Sequence, residues 1–454
     1  VSSAGDVNDD GIDDLLIGAY NATPGFNFNA GETYVVFGQS GGFGAEFDLS
    51  SLNGSNGFTI NGIDNNDFSG WSVSVAGDIN GDGIDDLIIG AEQADQPGES
   101  DAGESYGVFG SASGFSSSLD LSGLDGSNGF TINGIDNNDF SGWSVSSAGD
   151  INGDGVDDLI IGANRADQPG ENDAGESYVV FGSTTPFSSS LDLSSLNGSN
   201  GFIINGIDVG DLSGGSVSSA GDVNGDGVDD LIIGAEQADQ PGESDAGESY
   251  VVFGSATPFS SSLDLSGLDG SNGFVINGID NNDQSGGSVS SAGDINGDGF
   301  DDLIIGASDA DPNGNSNAGE SYVVFGSATP FSSSLDLSSL DGSNGFVING
   351  IDGGDTSGVS VSSAGDVNGD GFDDLVIGAQ QADPNGISSA GESYLVYGGP
   401  QFNTGSVLLG DQTGTAGAEQ IIGDAADNTI DGGGGADVLR GGAGDDVIGI
   451  DDTS

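Results

Sequence analysis

Acidic and amide side chains recur in one short loop at a spacing that suits metal coordination. In the segment GDINGDGIDDLIIGA (77–91), Asp78, Asn80, Asp82 and Asp86 occupy loop positions one, three, five and nine. Hard oxygen ligands at these positions, with glycine at position six for a sharp turn, are typical of a Ca²⁺ site. Mg²⁺ demands a stricter octahedron, and softer metals prefer His or Cys, which the chain lacks.

This loop occurs six times at a constant interval of 72 residues. A single copy would fit a simple turn, because Asp, Asn and Gly favour turns, but six copies with one ligand spacing favour metal binding. The first copy differs only in having Asp9 where the others have glycine. The predicted ligands are Asp6, Asn8, Asp10, Asp14, Asp78, Asn80, Asp82, Asp86, Asp150, Asn152, Asp154, Asp158, Asp222, Asn224, Asp226, Asp230, Asp294, Asn296, Asp298, Asp302, Asp366, Asn368, Asp370 and Asp374.

Two helical calcium motifs share part of this pattern. An EF-hand requires a bidentate Glu at position twelve, where this loop has Ile89. A dockerin module resembles the loop in DINGDG, but it is also helical. The loop here leads directly into an apolar run, so we expect it to join two strands.

The elements that would position these loops are four strand-like runs in each 72-residue unit. In the second unit they are SVSVAGD, DLIIGA, SYGVFG and FTINGI, each bounded by Gly, Asn, Asp or Ser. The continuous apolar run LIIGA is typical of a strand buried on both faces. Four strands per unit, repeated radially, predict an all-β fold, a β-propeller. A linear β-solenoid is the alternative, but solenoid repeats are usually shorter, roughly 20–30 residues.

The units resemble the FG-GAP repeat, the blade of integrin α-like propellers and of many secreted bacterial proteins. The FG half stands at Phe109-Gly110 and its counterparts, with Tyr397-Gly398 in the sixth copy, and the GA half stands at Gly90-Ala91 and its counterparts. The resemblance implies a propeller over residues 1–400. Such propellers commonly have seven blades, whereas six loops are visible. Because the chain begins inside a unit, either a further blade lies upstream or six blades close on themselves.

After residue 400 the pattern changes. Residues 401–422 are predicted to be a linker, and GGGGADVLR and GGAGDDVIG in residues 423–454 match the nonapeptide G-G-x-G-x-D-x-U-x of calcium-binding parallel β-rolls. This tail resembles the RTX repeats of secreted bacterial proteins. The resemblance places Asp437 and Asp446 at metal-binding positions and implies export by a type I route to a calcium-rich exterior.

Composition restricts the partners. The 454 residues include 74 acidic residues and two basic ones, Arg165 and Arg440, for a net charge of −72. Nucleic acids and anionic membrane surfaces are disfavoured, because both are bound through Lys and Arg clusters. No apolar stretch approaches the ~20 residues that span a bilayer. Calcium ions are the predicted partners, but six of them would reduce the charge only to −60, so we expect most acids, including those of segment 92–105, to be solvated.

Other recurring or rare residues are given structural interpretations. The segment IDNNDFSG, with Asp64 and Asp67, is interpreted as a turn between blades rather than a ligand site. Trp71 and Trp143 follow this turn in two units only. Packing between blades is the preferred role for them, and stacking against a sugar is the alternative.

These features together favour a non-catalytic protein. Without His, Lys or Cys the usual bases and nucleophiles are missing, and the carboxylates recur from unit to unit, so none forms a unique catalytic pair. We expect a secreted, calcium-binding structural component of a surface layer, sheath, filament or matrix that self-assembles. The alternative is a cell-surface adhesin that binds a protein or glycan ligand through one propeller face.

Overall fold

The computed structural model describes residues 1–402 except 169 and 241, together with six short strands between 407 and 449. Strands and short 3₁₀ turns make up its regular structure. Each of these turns begins at a Pro or a Leu. They are Pro24–Phe26, Leu49–Ser51, Leu121–Gly123, Leu193–Ser195, Leu265–Gly267, Pro312–Gly314, Leu337–Ser339, Pro384–Gly386 and Pro400–Phe402.

Six sheets, each built on three or four antiparallel strands, follow the 72-residue repeat, so the predicted propeller is confirmed with six blades. The first strands of consecutive blades contact each other, and the later strands of each blade lie progressively further out. Blades one to three consist of Ser2–Gly5, Asp14–Ala19, Glu32–Val36 and Gly57–Asn61; Val73–Gly77, Asp86–Ala91, Glu104–Val108 and Gly129–Asn133; Ser144–Gly149, Asp158–Ala163, Glu176–Val180 and Gly201–Asn205. Blades four to six consist of Ser216–Gly221, Asp230–Ala235, Glu248–Val252 and Gly273–Asn277; Ser288–Gly293, Asp302–Ala307, Glu320–Val324 and Gly345–Asn349; Ser357–Gly365, Asp374–Ala379 and Glu392–Val396.

The second strand of each blade forms the centre of the core, as its continuous apolar run predicts. All six residues of Asp86–Ala91 are buried. Leu87 and Ile89 pack in the cluster shared with the first blade, whereas Ile88 packs in the cluster shared with the third. Side chains that alternate along a strand therefore hold its blade to both neighbours.

A fifth strand, which the sequence pattern did not reveal, joins consecutive blades. Ser118–Asp120 belongs to the second unit but pairs in parallel with Gly57–Asn61 at the outer edge of the first blade. The ring of Phe115, just before it, stacks on Phe58 with 4.2 Å between centroids. The equivalent strands are Ser190–Asp192, Ser262–Asp264 and Ser334–Asp336.

The short strands of the tail form two parallel sheets, one of Val407–Leu409, Gln420–Ile422 and Val438–Arg440 and one of Gln412–Thr413, Thr429–Asp431 and Val447–Gly449. Gln420 pairs with Val438 and Thr429 with Val447, so paired residues are two nonapeptides apart. This backbone pattern is that of a parallel β-roll. The predicted ligands Asp437 and Asp446 lie outside the described residues.

Candidate calcium loops

Each predicted loop connects the first and second strands of a blade, so all six lie at the same end of the propeller. In the second blade the carboxylate of Asp78 accepts hydrogen bonds from the amides of Asp82 and Gly83 at 2.9 and 2.7 Å. The carboxylate of Asp82 accepts one from Ile84 at 3.1 Å. Acidic side chains at positions one and five thus fold the loop back on itself and bring their oxygens to its inner side.

Position nine is the first residue of the second strand and is buried. Asp86 is 0 % exposed, and its carboxylate accepts hydrogen bonds from the amides of Gly110 at 2.8 Å and Ile79 at 3.1 Å. Gly110 is the glycine of the FG pair, so the FG half of the repeat meets the loop at this carboxylate. A Cβ at Gly110 would lie 2.3 Å from the carbonyl oxygen of Asp85, which explains why glycine is needed there.

Burial and like charge disfavour an isolated carboxylate at position nine. Burial, opposed by the hydrogen bond from the Gly110 amide and supported by the carboxylates of Asp82 and Asp78, raises the pKa of Asp86 to about 8. The same causes raise the pKa to about 6 for Asp14, to about 8 for Asp158 and Asp230, and to about 9 for Asp302. A buried carboxyl beside two others must bind either a proton or a cation.

The donor set of the loop fits a hard divalent cation. Asn80 at position three donates through Nδ2 to both carboxylate oxygens of Asp86, at 3.2 and 3.1 Å. Its amide therefore lies among the carboxylates, and rotation of that amide would present Oδ1 as a fourth oxygen. Carboxylate and amide oxygens without His or Cys are the ligands of Ca²⁺. In the structure as described, no three acidic, His or Cys side chains are already gathered as a metal cage, so the ligand assignment remains a prediction.

The backbone conformation at position four explains how the first loop can have Asp9 in place of glycine. Gly81 has φ of 73°, in the left-handed region that favours glycine, and Asp9 takes φ of 58° at the same place in the first loop. Asp tolerates this conformation better than most residues. The first loop can therefore keep the same backbone despite the substitution.

A functional residue that the sequence analysis missed stands at position eight. Asp85 accepts a hydrogen bond from the amide of Asp6 in the preceding blade at 2.8 Å. The same bond, at 2.8–3.0 Å, joins four more pairs of loops, with Asp157, Asp229, Asp301 and Asp373 as acceptors. Its recurrence beside position nine was visible in the sequence, but only the packing of blades shows its partner 79 residues away. The loops therefore tie neighbouring blades together.

The IDNNDFSG segment lies at the opposite end of the propeller and forms a turn, as interpreted. Asp67 is 6 % exposed and accepts a hydrogen bond from the amide of Asp64 at 3.0 Å. Burial raises its pKa to about 6, and the carboxylates of Asp64, Glu104 and Asp95 contribute. Glu104 is held by Tyr106 and by Gln96, whose Nε2 lies 2.6 Å from Oε1. These acids are therefore not all solvated, in contrast to what we expected of segment 92–105.

Comparison with known proteins assigns the repeat. The family model described as the FG-GAP repeat matches residues 1–36, 69–108, 141–180, 213–252, 285–324 and 357–396. The chain belongs to the FG-GAP repeat family. The six matched segments each contain one loop and the first three strands of a blade, so the FG-GAP unit coincides with the inner part of each blade.

The tail of this FG-GAP protein matches a second family. Residues 413–448 match the model for the RTX calcium-binding nonapeptide repeat, in four copies. Calcium is therefore a ligand of this chain through its RTX repeats. The two kinds of repeat together indicate an extracellular calcium-binding protein of the adhesion type. Separately, no helix among the described residues is long and apolar enough to cross a membrane.

The FG-GAP region is similar to parts of larger animal proteins. Integrin alpha pat-2 of Caenorhabditis elegans is 30% identical over 257 residues, which cover 53% of this chain and 18% of that protein. Integrin alpha-PS2 of Drosophila melanogaster is 28% identical over 279 residues, covering 61% and 18%. Phosphatidylinositol-glycan-specific phospholipase D of Bos taurus is 32% identical over 192 residues, covering 42% and 21%. The chain spans about a fifth of the length of these relatives.

Proposed function

We propose that this chain is a secreted, non-catalytic, calcium-stabilised propeller that acts as a structural component of an extracellular surface layer, sheath, filament or matrix. We divide it into a propeller, residues 1–400, and RTX-like repeats, residues 423–454, which would direct type I export. Between them lie residues 401–422, which include the first strands of the β-roll. The observation that carries the proposal is the pair of aspartates at positions eight and nine of the loops. In five loops the aspartate at position eight ties a blade to its neighbour, and the aspartate at position nine would bind the cation.

The physical consequence is that calcium would stabilise the packing of blades as well as each loop. At free calcium ten to a hundred times Kd, one site adds roughly 1.4–2.7 kcal/mol, so six independent sites would add on the order of 8–16 kcal/mol. This is comparable to the whole stability of a domain, ~5–15 kcal/mol. A cation at each loop would also lower repulsion in a chain of net charge −72.

Sedimentation of the full chain with calcium or with EGTA, at fixed ionic strength, tests the structural role. We expect larger species in calcium, because cations can bridge the acidic surfaces of neighbouring molecules, and their dissociation in EGTA. A variant carrying Asp→Asn at position nine of all six loops should assemble less at the same calcium concentration. A chain that remains monomeric in calcium at all protein concentrations would contradict the assembly role but not calcium-dependent folding.

A second candidate is adhesion through the end of the propeller opposite the loops. It is favoured by the residues that break the repeat there, Tyr20, Trp71, Trp143 and Arg165, which occur in the first three blades only. Saturable binding of a ligand by the monomer would support this role. The two candidates are compatible, because a matrix component can both assemble and bind.

A further inference from the structure

Glycines pack the inner part of the propeller closely at the end opposite the loops. A Cβ on Gly18 would lie 2.1 Å from the carbonyl oxygen of Gly70, and the amide of Gly70 donates to Gly90 at 2.9 Å. A Cβ on Gly90 would in turn lie 2.1 Å from the carbonyl oxygen of Gly142, whose amide donates to Gly162 at 3.0 Å. These backbone contacts, here called the glycine ring, leave no room for side chains and fix the residues that follow them.

The residues that follow the glycine ring differ between its two halves. In the first half they are, in order around the ring, Tyr20, Trp71, Glu92, Trp143 and Asn164. The two tryptophans are the only ones in the chain. In the second half the corresponding residues are Gly215, Glu236, Gly287, Ser308, Val359 and Gln380. The aromatic residues are therefore confined to one side of this end.

The aromatic side chains contact one another across blades and remain partly open to solvent. The rings of Tyr20 and Trp71 are 4.9 Å apart at 68°, and those of Trp71 and Trp143 are 5.2 Å apart at 49°. Tyr20 is 37 % exposed and Trp71 38 %. Contacts with neighbouring residues therefore cover only part of each ring, and the uncovered part forms an accessible aromatic surface.

Among the residues that follow the glycine ring in this half, Glu92 and Asn164 each have a buried side-chain oxygen with no partner in the described part of the chain. Glu92 is 2 % exposed; its Oε1 accepts from Gln93 at 3.1 Å, but its Oε2 is unpaired. Asn164 is 4 % exposed, and its Oδ1 is also unpaired. An unpaired buried oxygen costs about 1–3 kcal/mol, and more when charged. A ligand that donates hydrogen bonds here would recover this cost.

Arg165 supplies a donor and a positive charge at the same place. Its guanidinium carbon lies 5.3 Å from the ring centroid of Phe140, and the Phe140 carbonyl accepts the amide of Trp143 at 3.0 Å. Burial raises the pKa of Glu92, and Gln93 and Arg165 oppose that rise. The carboxylate and the guanidinium therefore act on each other.

We propose that Tyr20, Trp71, Trp143, Glu92, Asn164 and Arg165 form a carbohydrate-binding site, here called the aromatic patch, for a neutral hexopyranose unit of a polysaccharide. The proposal rests on the second candidate, adhesion, and specifies its ligand. Aromatic surface with a few fixed polar groups is the usual composition of a small-ligand site. The C–H face of a pyranose would stack on an indole, and its hydroxyls would accept from Arg165. A small opening of the side chains that cover Glu92 Oε2 and Asn164 Oδ1 would let the hydroxyls donate to these oxygens.

Charge selects a neutral sugar over other ligands. The net charge of −72 repels uronic acids and sulfated sugars over distances of about a Debye length. A cationic side chain of a protein partner would be attracted by Glu92 but repelled by Arg165. A neutral polyol both donates and accepts, so it satisfies the acceptors without either penalty.

Intrinsic tryptophan fluorescence tests the proposal, because both tryptophans of the chain belong to the patch. The calcium-loaded full chain is titrated with neutral oligosaccharides of glucose, mannose and galactose, with alginate oligosaccharides as the acidic comparison. We expect a saturable change in emission with at least one neutral series and none with alginate. Trp71→Gly and Glu92→Gln should each weaken binding about tenfold or more, since the first removes a stacking surface and the second replaces a charged acceptor oxygen by an NH₂ group.

The repeat offers matched controls. Glycine is the residue of the chain itself at 215 and 287, so Trp71→Gly introduces a residue that this backbone already accepts. Glu236→Gln changes the equivalent glutamate away from the tryptophans and should leave the affinity unchanged. Melting temperatures in calcium verify that each variant folds, and isothermal calorimetry replaces fluorescence for Trp71→Gly.

Three outcomes would overturn the proposal. One is the absence of any emission change with all three neutral series. Another is equal weakening by Glu92→Gln and Glu236→Gln, and the third is a response to lysine- or arginine-rich peptides instead of sugars. Each of these leaves calcium-dependent stability and assembly intact, since those are measured without a glycan.

Discussion

Removal of one position-eight aspartate should loosen a single contact between blades. The carboxylate of Asp157 in the third blade accepts the amide of Asp78 in the second at 2.8 Å. A Cβ at Gly77 would lie 2.3 Å from Oδ2 of Asp157, so the carboxylate fills a space that glycine leaves open. Asp157→Ala would therefore leave both an unpaired amide and a small cavity.

The size of the effect follows from the kind of bond. A hydrogen bond to a charged group contributes about 1.5–3 kcal/mol, so the free energy of opening this contact should fall by about that amount. Exchange of the Asp78 amide with deuterium should then accelerate roughly ten- to a hundredfold, because each 1.4 kcal/mol is a factor of about ten. Asp157→Asn keeps an acceptor oxygen and should lose less, about 0.5–1.5 kcal/mol.

The first loop supplies the control. Asp13 occupies position eight but is exposed, and its side chain forms none of the inter-blade bonds described above. Asp13→Ala removes the same charge from the chain and should change stability by less than about 0.5 kcal/mol. Hydrogen–deuterium exchange of peptides around residue 78, together with urea unfolding in EGTA, would compare the two variants. Equal effects of Asp157→Ala and Asp13→Ala would refute the role assigned to position eight.

Three further outcomes are expected. Addition of EGTA at fixed ionic strength should lower the melting temperature, and an unchanged melting temperature would contradict calcium-dependent folding. In EGTA the free energy of unfolding should fall as pH rises from about 4 to about 8, because Asp86, whose pKa burial raises from 3.8 to about 8, keeps its proton only in the folded chain. Urea titrations at pH 5 and 8 should show a smaller fall for Asp86→Asn, which removes the contribution of this one group and leaves those of the equivalent aspartates. Gly162→Ala would place a Cβ 2.1 Å from the carbonyl oxygen of Gly214 and should cost about 1–3 kcal/mol or more by thermal unfolding, whereas Gly123→Ala, with open space around it, should be nearly neutral.

The elements that repeat within one unit were predictable from the sequence, and the contacts between units were not. The continuous apolar run LIIGA and the position of Gly83 identify a turn that leads into a buried strand, and the structure has both. The pairing of Ser118–Asp120 with the preceding blade depends on how two units pack, which no local pattern encodes. The partner of Asp85 was missed for the same reason.

Rare residues posed the opposite difficulty. Trp71 and Trp143 were noticed because they break the repeat, but 72 residues separate them in the chain. Only the packing of neighbouring blades brings the centroids of their aromatic rings to 5.2 Å from each other. The burial of Glu92 at 2 % exposure was contrary to expectation, because an acidic segment rich in Gly, Pro and Ser is ordinarily solvated.

The two ends of the propeller are physically connected through the contact between blades. Trp71 lies two residues before the first strand of the second blade, and Trp143 lies directly before that of the third, so the distance between their rings depends on how these two blades pack. The bond from Asp78 to Asp157 acts on the same pair of blades at the other end of those strands. Loss of calcium would leave the carboxylates of that loop uncompensated and weaken this packing. Calcium would therefore control the geometry of the aromatic patch without contacting it, and a ligand that requires both tryptophans would bind only to the calcium-loaded chain.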